Sequence, residues 1–174
     1  MNKFLCILLF FSMNSLFAQI PSSWYVVKNA QFCVAFPGEP NYSMENSTQA
    51  GTAVTITKWD FTEEQPARGW ARCFSLYYHD YPSRYFDNFP KSEYLRLLAE
   101  SVQGDSIFSN TKKVNMQNVP NPGIEVSGYN FKKFNFSFIV RFFLVDNRLY
   151  RLYASETDSL SYDAKLFLTS FEVY

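Results

Sequence analysis

Along much of the chain apolar and polar residues alternate, the two-residue period of a half-buried strand. Residues 24–28 and 31–36 read as short strands split by Asn29 and Ala30. In the second, Phe32, Val34 and Phe36 alternate with Gln31, Cys33 and Ala35, and Pro37-Gly38-Glu39-Pro40 ends it. Residues 41–51 are polar and predict an exposed loop. Residues 52–61 are β-branched and alternating, with Val54 and Ile56 on one face, and 63–69 predict a turn. Residues 70–79 predict a long strand: Trp70, Phe74, Leu76 and Tyr78 share one face, Cys73 and Tyr77 the other.

The period then changes. Leu95, Leu98, Ala99 and Val102 follow helical spacing, with Pro90 suited to the first position and Gly104 to a left-handed stop. Residues 106–119 are polar but compatible with a strand, and Pro120-Asn121-Pro122-Gly123 is a turn. A strand over 124–131 precedes the strongest signal, over 134–145. There Phe134, Phe136, Phe138, Val140, Phe142 and Leu144 fill one face, while Ile139, Phe143 and Val145 load the other. A strand apolar on both faces is covered on both faces. Asp146-Asn147 suits a tight turn before a returning strand over 148–155. Asp158 or Ser159 then caps a last helix burying Leu160, Ala164, Phe167, Leu168 and Phe171. Hairpin connections imply antiparallel pairing, so the expected class is α+β, a largely antiparallel sheet with helices packed against it.

The first 18 of the 174 residues carry a three-part export pattern. Lys3 supplies the charge, residues 4–13 the apolar run, and Ala18 a small residue at the cut. Two segments follow: a signal peptide over 1–18 and one globular domain over 19–174. The run is too short to span a bilayer. A buried N-terminal helix is the competing reading, but no polar face or cap accompanies it. Cys6 lies inside the run, which argues against a lipid anchor. No second run of spanning length exists, so no membrane span is expected after cleavage. The expected location is secreted or periplasmic.

Charge narrows the partners. Lys and Arg number 16, as do Asp and Glu, so loss of Lys3 leaves a net charge near −1. Such a balance argues against a general nucleic-acid or anionic-membrane binder. Aromatic residues at 20% make disorder unlike this chain. Export permits oxidation of the two remaining cysteines, Cys33 and Cys73. In a simple meander one strand separates them, placing them about 9.6 Å apart. A disulfide needs Cα atoms within about 7 Å, so pairing requires neighbouring or stacked strands. Two small buried thiols are the other reading.

Several segments resemble a known group. Phe32-Cys-Val-Ala-Phe-Pro-Gly-Glu-Pro40 resembles an opening F-x-V-x-F-P-G-x-P, and Tyr78-His-Asp-Tyr-Pro82 the end of a middle strand. Asn121-Pro-Gly-Ile-Glu-Val126 resembles a P-G-x-E-V turn, Arg141-Phe-Phe-Leu-Val-Asp-Asn-Arg-Leu-Tyr150 a hairpin, and Phe167-Leu-Thr-Ser-Phe171 a closing F-L-x-S-F. Together, over about residues 30 to 174, they resemble small secreted bacterial proteins with a PsbP-like fold. The resemblance implies an α/β/α sandwich with a central, largely antiparallel sheet. It also implies an accessory or binding role, as most members of that wider fold have. The photosystem role behind the name does not carry over, because no docking or metal motif matches residue by residue.

Catalytic patterns are sparse. Gly104-Asp-Ser-Ile107 resembles a serine-hydrolase nucleophile block, but the lone histidine, His79, precedes it, and that family needs a following Asp-x-x-His. Gly104 ending a helix explains the same residues. There is no H-E-x-x-H, no C-x-x-C pair and no phosphate-binding glycine loop, so no cofactor and no metal site are expected. Cys73 and His79 on one strand stand about 20 Å apart, too far to act together. Glu63-Glu64 reads as a solvated turn. Asp105-Ser-Ile107 and Asp158-Ser-Leu160 resemble bacterial glycosylation acceptors.

One stretch carries a site hypothesis: residues 77–86, at a strand end running into a loop. Tyrosines offer flat apolar faces with hydroxyls. Tyr77, His79, Asp80, Tyr81 and Arg84 are the candidate ligand- or partner-binding residues. The competing reading makes Tyr78 and Phe86 core and Tyr81-Pro82 a chain turn. Function then divides. The first reading is an exported, non-enzymatic accessory or binding protein, with a protein partner or small ligand in the cell envelope. The alternative is a hydrolase-like envelope enzyme gathering His79, Arg72 or Arg141 with carboxylates. A purely structural envelope protein is a third.

Overall fold

The computed structural model describes residues 20–49, 51–87, 89–104, 108–130 and 135–174. The expected signal peptide and the Asp105-Ser106-Ile107 triplet lie outside them. Among the described residues, seven strands form one antiparallel sheet and three form another. The large sheet holds β3 (Asn41–Gln49), β4 (Thr52–Gln65), β5 (Trp70–Asp80), β6 (Phe108–Val114), β7 (Gly123–Asn130), β8 (Phe136–Val145) and β9 (Arg148–Thr157). Its order is β3-β4-β5-β9-β8-β7-β6. The small sheet joins β1 (Tyr25–Lys28), β2 (Phe32–Phe36) and β10 (Glu172–Val173), with β2 in the middle. The α-helices among the described residues are α1 (Lys91–Gly104) and α2 (Tyr162–Thr169).

This corrects the α/β/α expectation. The protein is mostly β, with two antiparallel sheets rather than one sheet between helical layers. One face of the large sheet carries α1, packed on β6, β7 and β8. There Phe138, Val140, Phe142 and Leu144 of β8 meet Leu95 and Ala99. The opposite face is covered by the small sheet together with α2. Phe32, Val34 and Phe36 enter a core with Phe74, Leu76, Phe143, Tyr150, Leu152, Phe167 and Phe171. The physical reason is direct. Two-sided apolarity on β8 requires a cover on each face, and periodicity does not say whether that cover is helix or strand.

The segment at 41–49 is a strand, not a loop. β3 pairs with β4 in register from Asn41 against Asp60 to Gln49 against Thr52. As an edge strand it is mostly exposed, so it shows no apolar alternation. Its backbone hydrogen bonds hold it, helped by Tyr42 packing at a tilt against Trp59 with ring centroids 5.1 Å apart. Gly51, at φ 80°, supplies the left-handed residue that the β3–β4 hairpin needs. β4 also continues through the expected turn, because Glu63 pairs with Arg72 across the sheet.

The last helix is capped by Ser161, not by Asp158 or Ser159. Ser161 Oγ accepts from the Asp163 and Ala164 amides at 3.1 and 3.4 Å. Asp158, at φ 67°, turns the chain instead. The buried Glu156 carboxylate accepts the Ser161 hydroxyl at 2.7 Å, so cap and strand are tied. A second buried carboxylate, Glu125 on β7, accepts Arg141 Nε of β8 at 2.7 Å and Lys112 Nζ of β6 at 2.9 Å. Arg141 also donates to the Leu168 carbonyl at 2.9 Å, joining three strands to α2. Gly123 starts β7 so close to β8 that a Cβ would strike the Phe142 carbonyl and the Phe143 ring.

Cys33 and Cys73, the two cysteines among the described residues, are free. Phe32 and Val34 point into the core, so Cys33 between them faces away from the large sheet, buried beside Lys28 and Glu172. Cys73 lies on the face of β5 opposite Phe74, its sulfur 3.4 Å from Ser75 Oγ. The core lies between the two thiols, so the considered disulfide does not form. No helix among the described residues is long and apolar enough to cross a membrane.

Candidate functional site

Strand alternation splits the five candidate residues. Tyr77, His79 and Tyr81 follow the face that carries α1; Asp80 follows the small-sheet face with Tyr78. Asp80 pairs with Arg148, whose guanidinium lies 4.6 Å over the Tyr78 ring. Its charge is therefore already matched within the fold. Arg84 is exposed in the turn after β5.

Tyr81 is not a surface residue. It is 6% exposed and sits in a ring cluster with Tyr85, Phe86 and Tyr94, at centroid distances of 4.5, 5.3 and 5.9 Å. Its hydroxyl donates to Gln49 Oε1 at 2.7 Å. That leaves Tyr94 as the donor in the 2.6 Å contact between the two tyrosine hydroxyls. Burial and the Tyr94 contact push the Tyr81 phenol well above its ordinary range. Gln49 uses its amide nitrogen on His79 Nδ1, 3.2 Å away. This chain of polar contacts pins β3, the end of β5 and the start of α1 together. The 77–86 segment thus closes one end of the sheet, and its aromatic content is mainly packing.

His79 is neutral at physiological pH. Burial, then the positive charge of Arg151, push its imidazole down to about 4. With Gln49 donating to Nδ1, the ring proton resides on Nε2.

The residues that the sequence did not single out lie beside Tyr77. Register aligns Lys58 of β4 with Tyr77 of β5, and Tyr77 with Arg151 of β9. The Lys58 ammonium lies 5.3 Å from the Tyr77 ring centre, and the Arg151 guanidinium 5.4 Å from the same ring. Arg151 also lies 6.0 Å from the Tyr153 ring. Lys58 has a partner, Asp60, at 2.7 Å, and burial of Lys58 is outweighed by Asp60 and Tyr77, which hold its ammonium above the ordinary value. Arg151 has none. Among the described residues it makes no ion pair and donates no hydrogen bond, and its Nε is buried without an acceptor. Arg72, Arg96, Arg141 and Arg148 each meet a carboxylate. This row sits on the large-sheet face beside α1, and only the helix's packing on β6, β7 and β8 is extensive. Toward the edge the face opens, with Ser43, Glu45 and Thr62 exposed.

Arg151 and Tyr153 were legible as strand residues of a returning hairpin. Their alignment with Lys58 and Tyr77 was not, because it depends on β9 inserting beside β5, far away in sequence. Elsewhere, an open cleft of about 490 Å³ lies at the β6 edge, and one of about 370 Å³ lies at the strand ends of β4, β5, β8 and β9. The first is lined by no charged residue and the second only by Glu64. No group of three metal-ligating side chains occurs among the described residues.

No protein-family model matches the chain, and no curated protein sequence matches it.

Proposed function

We propose that this chain is an exported accessory or binding protein of the cell envelope. It takes its partner or ligand on the sheet face carrying Lys58, Tyr77, Arg151 and Tyr153. Export rests on the N-terminal pattern of Lys3, the apolar run and Ala18. The binding reading rests on Arg151. Among the described residues no carboxylate pairs with its half-buried guanidinium, so its charge is left for an incoming anion to match. Tyrosine and arginine are also the side chains that most often dominate binding surfaces. The hydrolase alternative asks for His79 beside Arg72 or Arg141, but strand alternation puts both arginines on the small-sheet face, opposite His79, and Gln49 contacts His79 Nδ1.

Site-specific photocrosslinking in the exporting cell tests this. Ser43 and Thr62 border the face, and Tyr162, 64% exposed, stands on α2 at the other side of the sheet. Crosslinker at Ser43 and at Thr62 is expected to give adducts that crosslinker at Tyr162 does not. Adducts from Tyr162 alone, or from none of the three, would remove this face from the account.

A further inference from the structure

We propose that Arg151 is a carboxylate-binding residue, and that the ligand of this face is a monoanion presenting one carboxylate. The proposal rests on the binding reading above and specifies its chemistry. Among the described residues, half-buried Arg151 meets no carboxylate, while Arg72, Arg141 and Arg148, also half-buried, each do. The rings of Tyr77 and Tyr153 lie within 6.0 Å of its guanidinium and hold that planar group in place. A guanidinium held in this way matches the two oxygens of a carboxylate with less ordering cost than a free side chain.

Local charge selects the monoanion. Lys58 adds a positive charge, and Asp60, 2.7 Å away, cancels it. His79 is neutral. Glu45 is exposed on β3, three strands from β9. The net charge near Arg151 is therefore +1, which one carboxylate neutralises and a phosphate dianion over-neutralises. The carboxylate has two chemical sources, a free organic acid or the C-terminus of a peptide, and both present the same group.

The test follows the Arg151 Nε–H proton by nitrogen-edited NMR on the exported protein. Three probes are titrated: propionate, N-acetylglycine and inorganic phosphate. Both carboxylates are expected to shift the Arg151 signal saturably, with phosphate at least several-fold weaker and the exposed Arg84 signal unmoved. Tighter binding of N-acetylglycine identifies the peptide-type source; equal binding identifies the free acid. Arg151→Gln keeps a polar side chain but loses the charge. It is expected to weaken carboxylate binding about tenfold or more, read from the Tyr77 and Tyr153 ring signals. Arg151→Lys is expected to fall between the two. A shift that never saturates, a shift shared by Arg84, or tighter binding of phosphate would overturn the proposal. Overturning it while crosslinks still form at Ser43 and Thr62 would refute the ligand class alone. Loss of those crosslinks would refute the face itself.

Discussion

Replacing Arg141 with Met is expected to destabilise the fold by about 3–5 kcal/mol at pH 7, the cost of leaving a buried charge without its main partner. Glu125 is 3% exposed, and with Arg141 gone only Lys112 on the edge strand β6 would face it. The same change removes the hydrogen bond to the Leu168 carbonyl that secures the end of α2. The loss should depend on pH in a defined direction. Burial alone would raise the Glu125 carboxyl, but Lys112 and Arg141 outweigh it and hold the carboxyl below its ordinary 4.5. In the native protein, the stability from this group is therefore complete above the unfolded-state value. It is lost as pH falls through the lower folded-state value. In the Met variant burial prevails, the folded-state value rises, and protonation relieves the defect. Denaturant unfolding at pH 7 and at pH 3 should show the gap between variant and native protein narrowing in acid. A gap that is constant or wider at pH 3 would show that Glu125 is not the buried charge that Arg141 serves.

Phe32→Ala carries a comparable expected cost, about 3–5 kcal/mol for a buried phenylalanine. Phe32 is fully buried in the central strand of the small sheet. Its ring meets Trp59, Tyr78 and Tyr150 of the large sheet at 5.3, 5.8 and 6.0 Å, and Phe171 after α2 at 6.4 Å. The change tests the corrected architecture. If the small sheet is the cover of that face, its loss should lower the unfolding midpoint of the whole domain in one cooperative step. A separate early transition, with the large sheet still intact, would mean that β1, β2 and β10 are an appendage.

Local pattern revealed more than arrangement. The two-sided apolar run of β8, the Leu95–Val102 spacing of α1 and the Asp146-Asn147 turn all follow from side chains a few residues apart. β3 was hidden because an edge strand needs no apolar face; its hydrogen bonds belong to the backbone, which carries no side-chain signature. The cap at Ser161 was hidden because three polar residues precede α2, and Glu156 of β9 decides among them. Fold class was misjudged at one point. The pattern showed that both faces of β8 are covered, but short apolar strands such as β2 gave no sign that they would serve as the cover.

The site was legible only in part for the same reason. Tyr77 was singled out, and it does lie on the open face. Tyr81 drew attention through its aromatic neighbours, yet those neighbours enclose it. Asp80 and His79 were placed together by sequence, and alternation sends them to opposite faces. Arg151 looked like any arginine of a returning strand. That no carboxylate among the described residues meets it is a property of three strands in register, and no linear spacing encodes it.

The most direct measurement is native mass spectrometry of the protein gently recovered from the cell that exports it, compared with Arg151→Gln recovered in the same way. The account predicts excess mass on the native protein, lost on denaturation, and little or none on the variant. Equal excess on both proteins, or a bare mass for both, would contradict the claim that Arg151 anchors a ligand on the open face of the sheet.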